Sequence, residues 1–236
     1  SAVGHCSDIT KIVEPGFKLG GGDIYYINLA TEDYALGGSV YAQTQNKIGA
    51  NAIDIADISK LKSAFNTLQS FIKTGHINSG HDVSSGGLVT CLLESCFPNN
   101  NIVAEINLDH LKSNDLGRLL LSENPALVFQ TNNDSVIEAL NNEGVNVYNI
   151  GKVIKGNHLH INKGSDELVL NVTKLRDEWF ETSYLLDQNQ TSNNLAKTRY
   201  ENYKFQPLQY KFPAEFTGVR PDRKSDAVRP KAAIIR

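Results

Sequence analysis

Seven short runs rich in β-branched and aromatic residues limit what this chain can become: DIYYINLA (23–30), HINSGHD (76–82), IVAEINL (102–108), NPALVFQT (124–131), VNVYNIGKVI (145–154), HLHIN (158–162) and ELVLNV (167–172). Runs of this length and composition read as strands. Segments of helical period lie between the early ones. From Asp57 to His76, Ile58, Leu61, Phe65, Leu68 and Ile72 recur every three or four positions, which predicts an amphipathic helix capped by Asp57. Leu88, Leu92, Leu93 and Phe97 form another apolar stripe, and DLGRLLLS and NDSVIEALNNEG predict two short helices, the second ending at Gly144. Gly37-Gly38-Ser39 opens a helix over residues 40–45. Further on, Lys155-Gly156-Asn157 predicts a hairpin joining VNVYNIGKVI to HLHIN, and Lys163-Gly164 turns the chain into ELVLNV. Alternation early and hairpins late predict an α/β fold built on a layered mixed sheet with an antiparallel part, not a doubly wound parallel sheet.

The character changes near residue 173. KLRDEWFETSYLLDQ carries Leu175, Trp179, Thr182 and Leu186 at helical spacing. The Tyr-, Lys- and Pro-rich stretch from Leu195 has no lasting period and reads as an extended strap or interdomain linker lying on a partner surface. The chain has no methionine and stops at RPKAAIIR, a strand-like run, so it reads as a fragment of something longer. The hydrophobic fraction of 40% and charged fraction of 21% fit a packed core. No apolar run approaches ~18 residues, which argues against a membrane span. A net charge of −3 leaves no electrostatic footprint for nucleic acid. Cys6, Cys91 and Cys96 are odd in number, and the last two stand five apart in a helix, off each other's face. They make neither a disulfide framework nor a zinc knuckle, which predicts a reduced, cytoplasmic protein.

The chemistry concentrates in His81-Asp82-Val83-Ser84-Ser85-Gly86-Gly87, at a strand-to-helix junction. The first turn of a helix has N–H groups without internal partners, and its dipole adds partial positive charge. Gly86 and Gly87 let a phosphate oxygen approach where a Cβ would block it, and Ser84 can cap the helix or donate to that oxygen. Asp82 would repel the anion directly but can hold a magnesium ion that bridges to it, since Mg2+ takes one or two carboxylates and completes its shell with water and phosphate. A capped structural turn gives the same spacing, and His81 reads as a packed residue at a strand end rather than a catalytic one. Leu36-Gly37-Gly38-Ser39 is a second glycine-led helix start without an acid beside it.

With these residues in view, the chain resembles phosphoribosylformylglycinamidine synthase in its large single-chain form. GHDVSSGGLVTCLLESCF is similar to that family's His-Asp-x-Ser-x-Gly-Gly segment, DYALGGSVYAQ to its glycine-led helix start, and LSENPALVFQ to its Ser-Glu-Asn-Pro strand. LRDEWFETSYLLDQ and RYENYKFQPLQYKFPAEFTG look like its connector, and RPKAAIIR like the first strand of its glutaminase domain. EPGFKLGGGD and VRPDRKSDAVRP do not map onto it. The resemblance implies a ligase of purine biosynthesis that converts formylglycinamide ribonucleotide, ATP and glutamine to formylglycinamidine ribonucleotide, ADP, phosphate and glutamate. It implies a fold like the C-terminal domain of aminoimidazole ribonucleotide synthetase over residues 1–172, a helical and extended connector over 173–230, and the start of a glutaminase domain over 231–236. Asp82 would be a magnesium ligand and Ser84, with Gly86 and Gly87, a nucleotide contact for ATP or ADP. The other ligands, and the partners, would be the missing synthetase and glutaminase domains. No catalytic residue is expected here, and the site would be auxiliary rather than catalytic. Two alternatives stand beside this: a non-catalytic scaffold of the same enzyme, and a related ATP-dependent synthetase such as aminoimidazole ribonucleotide synthetase.

Overall fold

The computed structural model describes residues 4–6, 8–31, 34–192, 194–205 and 211–219. RPKAAIIR and nearly all of VRPDRKSDAVRP lie outside them. Among the described residues seven strands form one sheet: β1 (Asp23–Asn28), β2 (Ser79–Val83), β3 (Ile102–Asn107), β4 (Ala126–Thr131), β5 (Val147–Lys155), β6 (His158–Lys163) and β7 (Asp166–Asn171). Their order is β2-β4-β1-β5-β3-β6-β7. Every neighbouring pair is antiparallel except β3 and β6. The sheet is therefore mixed and mostly antiparallel, as expected.

Among the described residues seven α-helices accompany it: α1 (Val40–Thr44), α2 (Ile58–Lys73), α3 (Gly87–Cys96), α4 (Leu116–Leu121), α5 (Asp134–Asn142), α6 (Val172–Asp187) and α7 (Leu195–Asn202). Strand alternation divides them between two faces. Ile24 and Tyr26 of β1 and Val128 of β4 join Leu88 and Leu92 of α3 and Leu119 and Leu120 of α4 in one core. Ile27 and Phe129 face the other way, against Ala64 and Leu68 of α2 and Val136 and Leu140 of α5. Each fully buried leucine contributes roughly 1.5–3 kcal/mol. The predicted caps hold: Asp57 accepts from the Ser59 and Lys60 amides, and Ser39 from that of Ala42.

Three expectations are corrected. The hairpin between β5 and β6 does not form, because β3 lies between them. β3 buries three of its six residues and pairs on both edges, with Val103 opposite Ile154 and Ile106 opposite Ile161. The turn at Lys155–His158 therefore crosses two strand spacings, about 10 Å, which three extended residues just span. Helix α6 buries a different face from the one predicted. Val172 and Arg176 are buried, while Trp179 and Leu186 are 50% and 63% exposed. Arg176 Nη1 donates to Phe97 O at 3.1 Å and to Asn100 Oδ1 at 3.0 Å, which turns that face onto the end of α3. The strap expected from Leu195 onward instead begins with α7. Its Tyr200 stacks on Tyr184 of α6 with ring centroids 4.6 Å apart, and Tyr203 stacks on Phe180 at 4.0 Å. Tyr200 and Tyr203 of that Tyr-rich stretch pack against α6.

Candidate functional site

Among the described residues strand β2 lies at the sheet edge and pairs only with β4, and Asp82 near its end is exposed. Asp82 lies opposite Leu127, and its side chain is 69% exposed. Nothing buries this carboxylate, so it is free to meet a ligand. One oxygen lies 3.3 Å from His81 Nδ1, and His81 Nε2 lies 3.1 Å from Glu94 Oε2 on α3. His81 is thus packed between two carboxylates, the bland role that sequence left open for it. Burial first, and then the charges of Asp82 and Glu94, push the Cys91 thiol up.

Ser84 and Ser85 are exposed, and the chain then turns through two positive-φ residues, Gly86 at +88° and Gly87 at +76°. Glycine is the residue that takes this conformation without strain. Gly87 is also required sterically: an added Cβ would lie 2.5 Å from Leu120 O and 2.9 Å from Ser122 O. The Ser84 hydroxyl does not cap α3; Gly86 is the cap residue and no side chain serves it. The Ser84 carbonyl accepts the Gly87 N–H at 3.0 Å instead. The Gly86 N–H donates to Glu123 Oε1 at 2.9 Å. Of the amides expected to face a phosphate, both glycine N–H groups have protein partners.

Glu123 is the functional candidate that sequence reasoning passed over. Its Oε1 also accepts the Val40 N–H at 2.7 Å, so one carboxylate joins the starts of α1 and α3, the two glycine-led turns. Its neighbours lock it in place. The buried Ser122 hydroxyl shares its one hydrogen between Ala35 O at 3.0 Å and Asn124 Oδ1 at 2.7 Å, and Asn124 donates to Asn28 Oδ1 at 3.1 Å. The signal was present in LSENPALVFQ as an acid between a helix end and a strand, but no spacing rule ties it to residues 83 and 37 positions earlier. The unmapped loop EPGFKLGGGD also has a structural role. Gln130 accepts the Lys18 N–H at 2.9 Å and donates to Gly22 O at 3.0 Å, closing that loop over β4.

Among the described residues, no group of three or more His, Cys, Asp and Glu side chains could hold a metal. A lone exposed carboxylate nevertheless fits magnesium in kind, because that ion draws most of its shell from water and phosphate. Cys91 and Cys96 are buried and free, and Cys6 is exposed and free. Among the described residues no helix is long and apolar enough to cross a membrane.

The family model described as the C-terminal domain of AIR synthase related protein matches residues 28–163, a span that contains Asp82, Ser84, Gly86, Gly87 and Glu123. Among curated proteins, a probable phosphoribosylformylglycinamidine synthase of Arabidopsis thaliana, chloroplastic/mitochondrial, is 35% identical over all of this chain, which spans 17% of that relative. The phosphoribosylformylglycinamidine synthase of Homo sapiens is 30% identical over all of this chain, which spans 18% of it. Among solved structures, Thermotoga maritima PurL complexed with FGAR superposes with a TM-score of 0.58 at 17% identity, covering 71% of this chain and 30% of that one. The same protein complexed with ATP gives a TM-score of 0.54 at 15% identity over 71% of this chain and 27% of that one. At such identities the structural likeness speaks to the fold alone.

Proposed function

The chain belongs to the family of the AIR synthase related protein C-terminal domain, and from that premise we propose that it is a segment of a phosphoribosylformylglycinamidine synthase, a carbon–nitrogen ligase of purine biosynthesis. The whole enzyme would convert formylglycinamide ribonucleotide, ATP, glutamine and water to formylglycinamidine ribonucleotide, ADP, phosphate and glutamate. Residues 1–172 would be its second synthetase domain of C-terminal type, 173–230 the connector, and 231–236 the first strand of the glutaminase domain. The reduced thiols accord with a cytoplasmic enzyme.

In this reading the chain supplies one wall of an auxiliary Mg-nucleotide site. The ion, when bound, neutralises phosphate charge. Asp82 would hold it with the carboxylate that β2 leaves exposed. Ser84, on the outer side of the turn, would donate to a phosphate oxygen, and Gly86 and Gly87 would keep the turn low enough for that oxygen to approach. No side chain of this segment is assigned to bond making. The observation that carries the reading is the exposed Asp82 at the end of β2, directly before the positive-φ turn into α3 and inside the matched family span. One observation favours the scaffold alternative: both glycine amides are already bonded within the protein.

Asp82→Asn in the full-length polypeptide separates the two. A metal ligand predicts a fall of about tenfold or more in Mg-ADP affinity, measured calorimetrically, with the melting temperature little changed. Unchanged affinity would leave the scaffold role.

A further inference from the structure

We infer that the pocket between the start of β3, the β5–β6 turn and the start of α6 binds a phosphate group, seated on Arg176 and Lys204. The site is separate from the Mg-nucleotide turn and needs no metal. Its signature is a buried cation without a counter-ion. Arg176 is 6% exposed, and a guanidinium so buried is ordinarily paired with an acid. Here its described hydrogen bonds go to two neutral oxygens, Phe97 O and Asn100 Oδ1. Its Nε is buried and has no acceptor. The Tyr203 ring, 5.7 Å from the guanidinium, stabilises the charge only in part. An orphaned donor on a buried cation is costly, and an incoming anion relieves that cost.

Arg176 lines a pocket of about 320 Å³ whose polar walls include Asn100, Asn157, Thr173 and Lys204. Among the described residues no acid lines it. The Lys204 ammonium stands 3.6 Å from Asp177, beyond hydrogen-bond length, and the Tyr203 hydroxyl already donates to that carboxylate. Asn100 ties the two cations together: its Oδ1 accepts from Arg176, and its Nδ2 donates to Lys204 O at 3.3 Å. The helix start does not make the site. The Val172 and Lys174 amides already donate to Asn157 O at 3.0 Å and Asn171 Oδ1 at 2.9 Å, so α6 adds only its dipole. Two cations facing no acid match a dianion. A phosphate group is one, and its oxygens accept from guanidinium and ammonium at once; a carboxylate would leave one charge unmatched. The volume holds a phosphate but not a whole nucleotide, at the lower end of the ~300–1,000 Å³ of small-molecule sites. Whatever carries the phosphate would extend into the neighbouring cleft that Arg176 and Lys204 share with Trp179.

The test titrates the 236-residue chain, in EDTA and at matched ionic strength, with inorganic phosphate, adenosine monophosphate and acetate. Calorimetry and Trp179 emission follow binding. Phosphate is expected to bind at least tenfold more tightly than acetate, and Lys204→Gln and Arg176→Lys each to weaken it about tenfold. Asp82→Asn is expected to change nothing. Adenosine monophosphate binding like phosphate marks the free ion as the ligand; tighter binding with quenching of Trp179 marks a phosphomonoester whose body enters the cleft. Arg176→Lys also removes bonds to the end of α3, so its fold is checked by circular dichroism, and Lys204→Gln carries the test if that variant unfolds. In the full-length polypeptide phosphate should slow hydrogen exchange over residues 99–103 and 172–176, whether or not the shorter chain folds alone. Phosphate binding no tighter than acetate, undiminished in Lys204→Gln, or without protection of those two stretches overturns the inference. Phosphate binding that needs Mg2+ or vanishes in Asp82→Asn belongs to the nucleotide turn, and then this inference falls while that reading stands.

Discussion

Gly86 and Gly87 look alike in sequence and share a left-handed backbone, yet their surroundings differ. A methyl at Gly86 would press on Thr90 Oγ1, which can rotate away, and lie 3.0 Å from Thr90 Cβ, a tight contact, whereas a methyl at Gly87 would press harder on the backbone of Leu120 to Ser122, which cannot move aside. Gly86→Ala is therefore expected to cost about 1 kcal/mol, the strain of its φ, and Gly87→Ala about 2–3 kcal/mol. Denaturant midpoints at constant slope measure both, and equal losses would contradict the asymmetry. The cysteines give a second test. Burial pushes the Cys96 thiol up to about 12 from its ordinary 9.0, with a hydrogen bond from the Ala104 backbone opposing it. A value raised in the folded state stabilises fully below the unfolded value and is lost as pH climbs toward the folded one. Unfolding free energy should then fall between about pH 9 and 12, by roughly 1.4 kcal/mol per pH unit for each such thiol. Cys96→Ala should flatten that slope even as it lowers the absolute stability. At this scale the acid, the serine and the glycine pair were legible because one turn places them side by side. Glu123 was not, because its partners at Val40 and Gly86 meet it only after the sheet has formed.

At the scale of elements, periodicity located helices and strands well but misjudged what each would pack against. The turn residues of Lys155–Asn157 obey local hairpin rules, and β3 overrides them by taking both edges. Trp179 and Leu186 have the spacing of a core stripe, yet the buried face of α6 is set by Arg176, a residue that composition would send to the surface. Its guanidinium is anchored by a carbonyl and an amide oxygen and lies 5.7 Å from the centre of the Tyr203 ring. Burial, and then the hydrogen bond to Asp177, push the Tyr203 hydroxyl up to about 12, so it donates to that carboxylate at any physiological pH. Arg176→Met keeps the stem and removes the donors. It should loosen α6 and α7 by about 1.5–3 kcal/mol while leaving the sheet intact. Trp179, the chain's single tryptophan, packs edge-on against Phe180 and reports this directly. Its emission is expected to shift red well before the far-ultraviolet circular dichroism changes. A simultaneous transition, or an unaltered spectrum, would show that Arg176 does not hold the helix pair.

For the whole molecule, the decisive quantity is how much of a site one segment can own. This chain spans 17% and 18% of the curated relatives it matches over its full length, and it brings a single exposed carboxylate to the end of β2. Magnesium bound through one carboxylate and water is held weakly, because the ion gives up its hydration reluctantly for so little charge. The glycine amides add nothing while Glu123 and Ser84 occupy them. The isolated chain should therefore fold, since it buries an apolar core on each face of the sheet, yet bind Mg-ADP no tighter than about millimolar. The full-length polypeptide, with further ligands from other domains, should bind it at least a hundredfold more tightly, because ligands on a second rigid wall act at high effective concentration. Calorimetry on the two proteins side by side measures the ratio. Micromolar affinity in the isolated chain would mean that this segment owns the whole site. Equal and negligible affinity in both would mean that Asp82 faces something other than a metal-bound nucleotide.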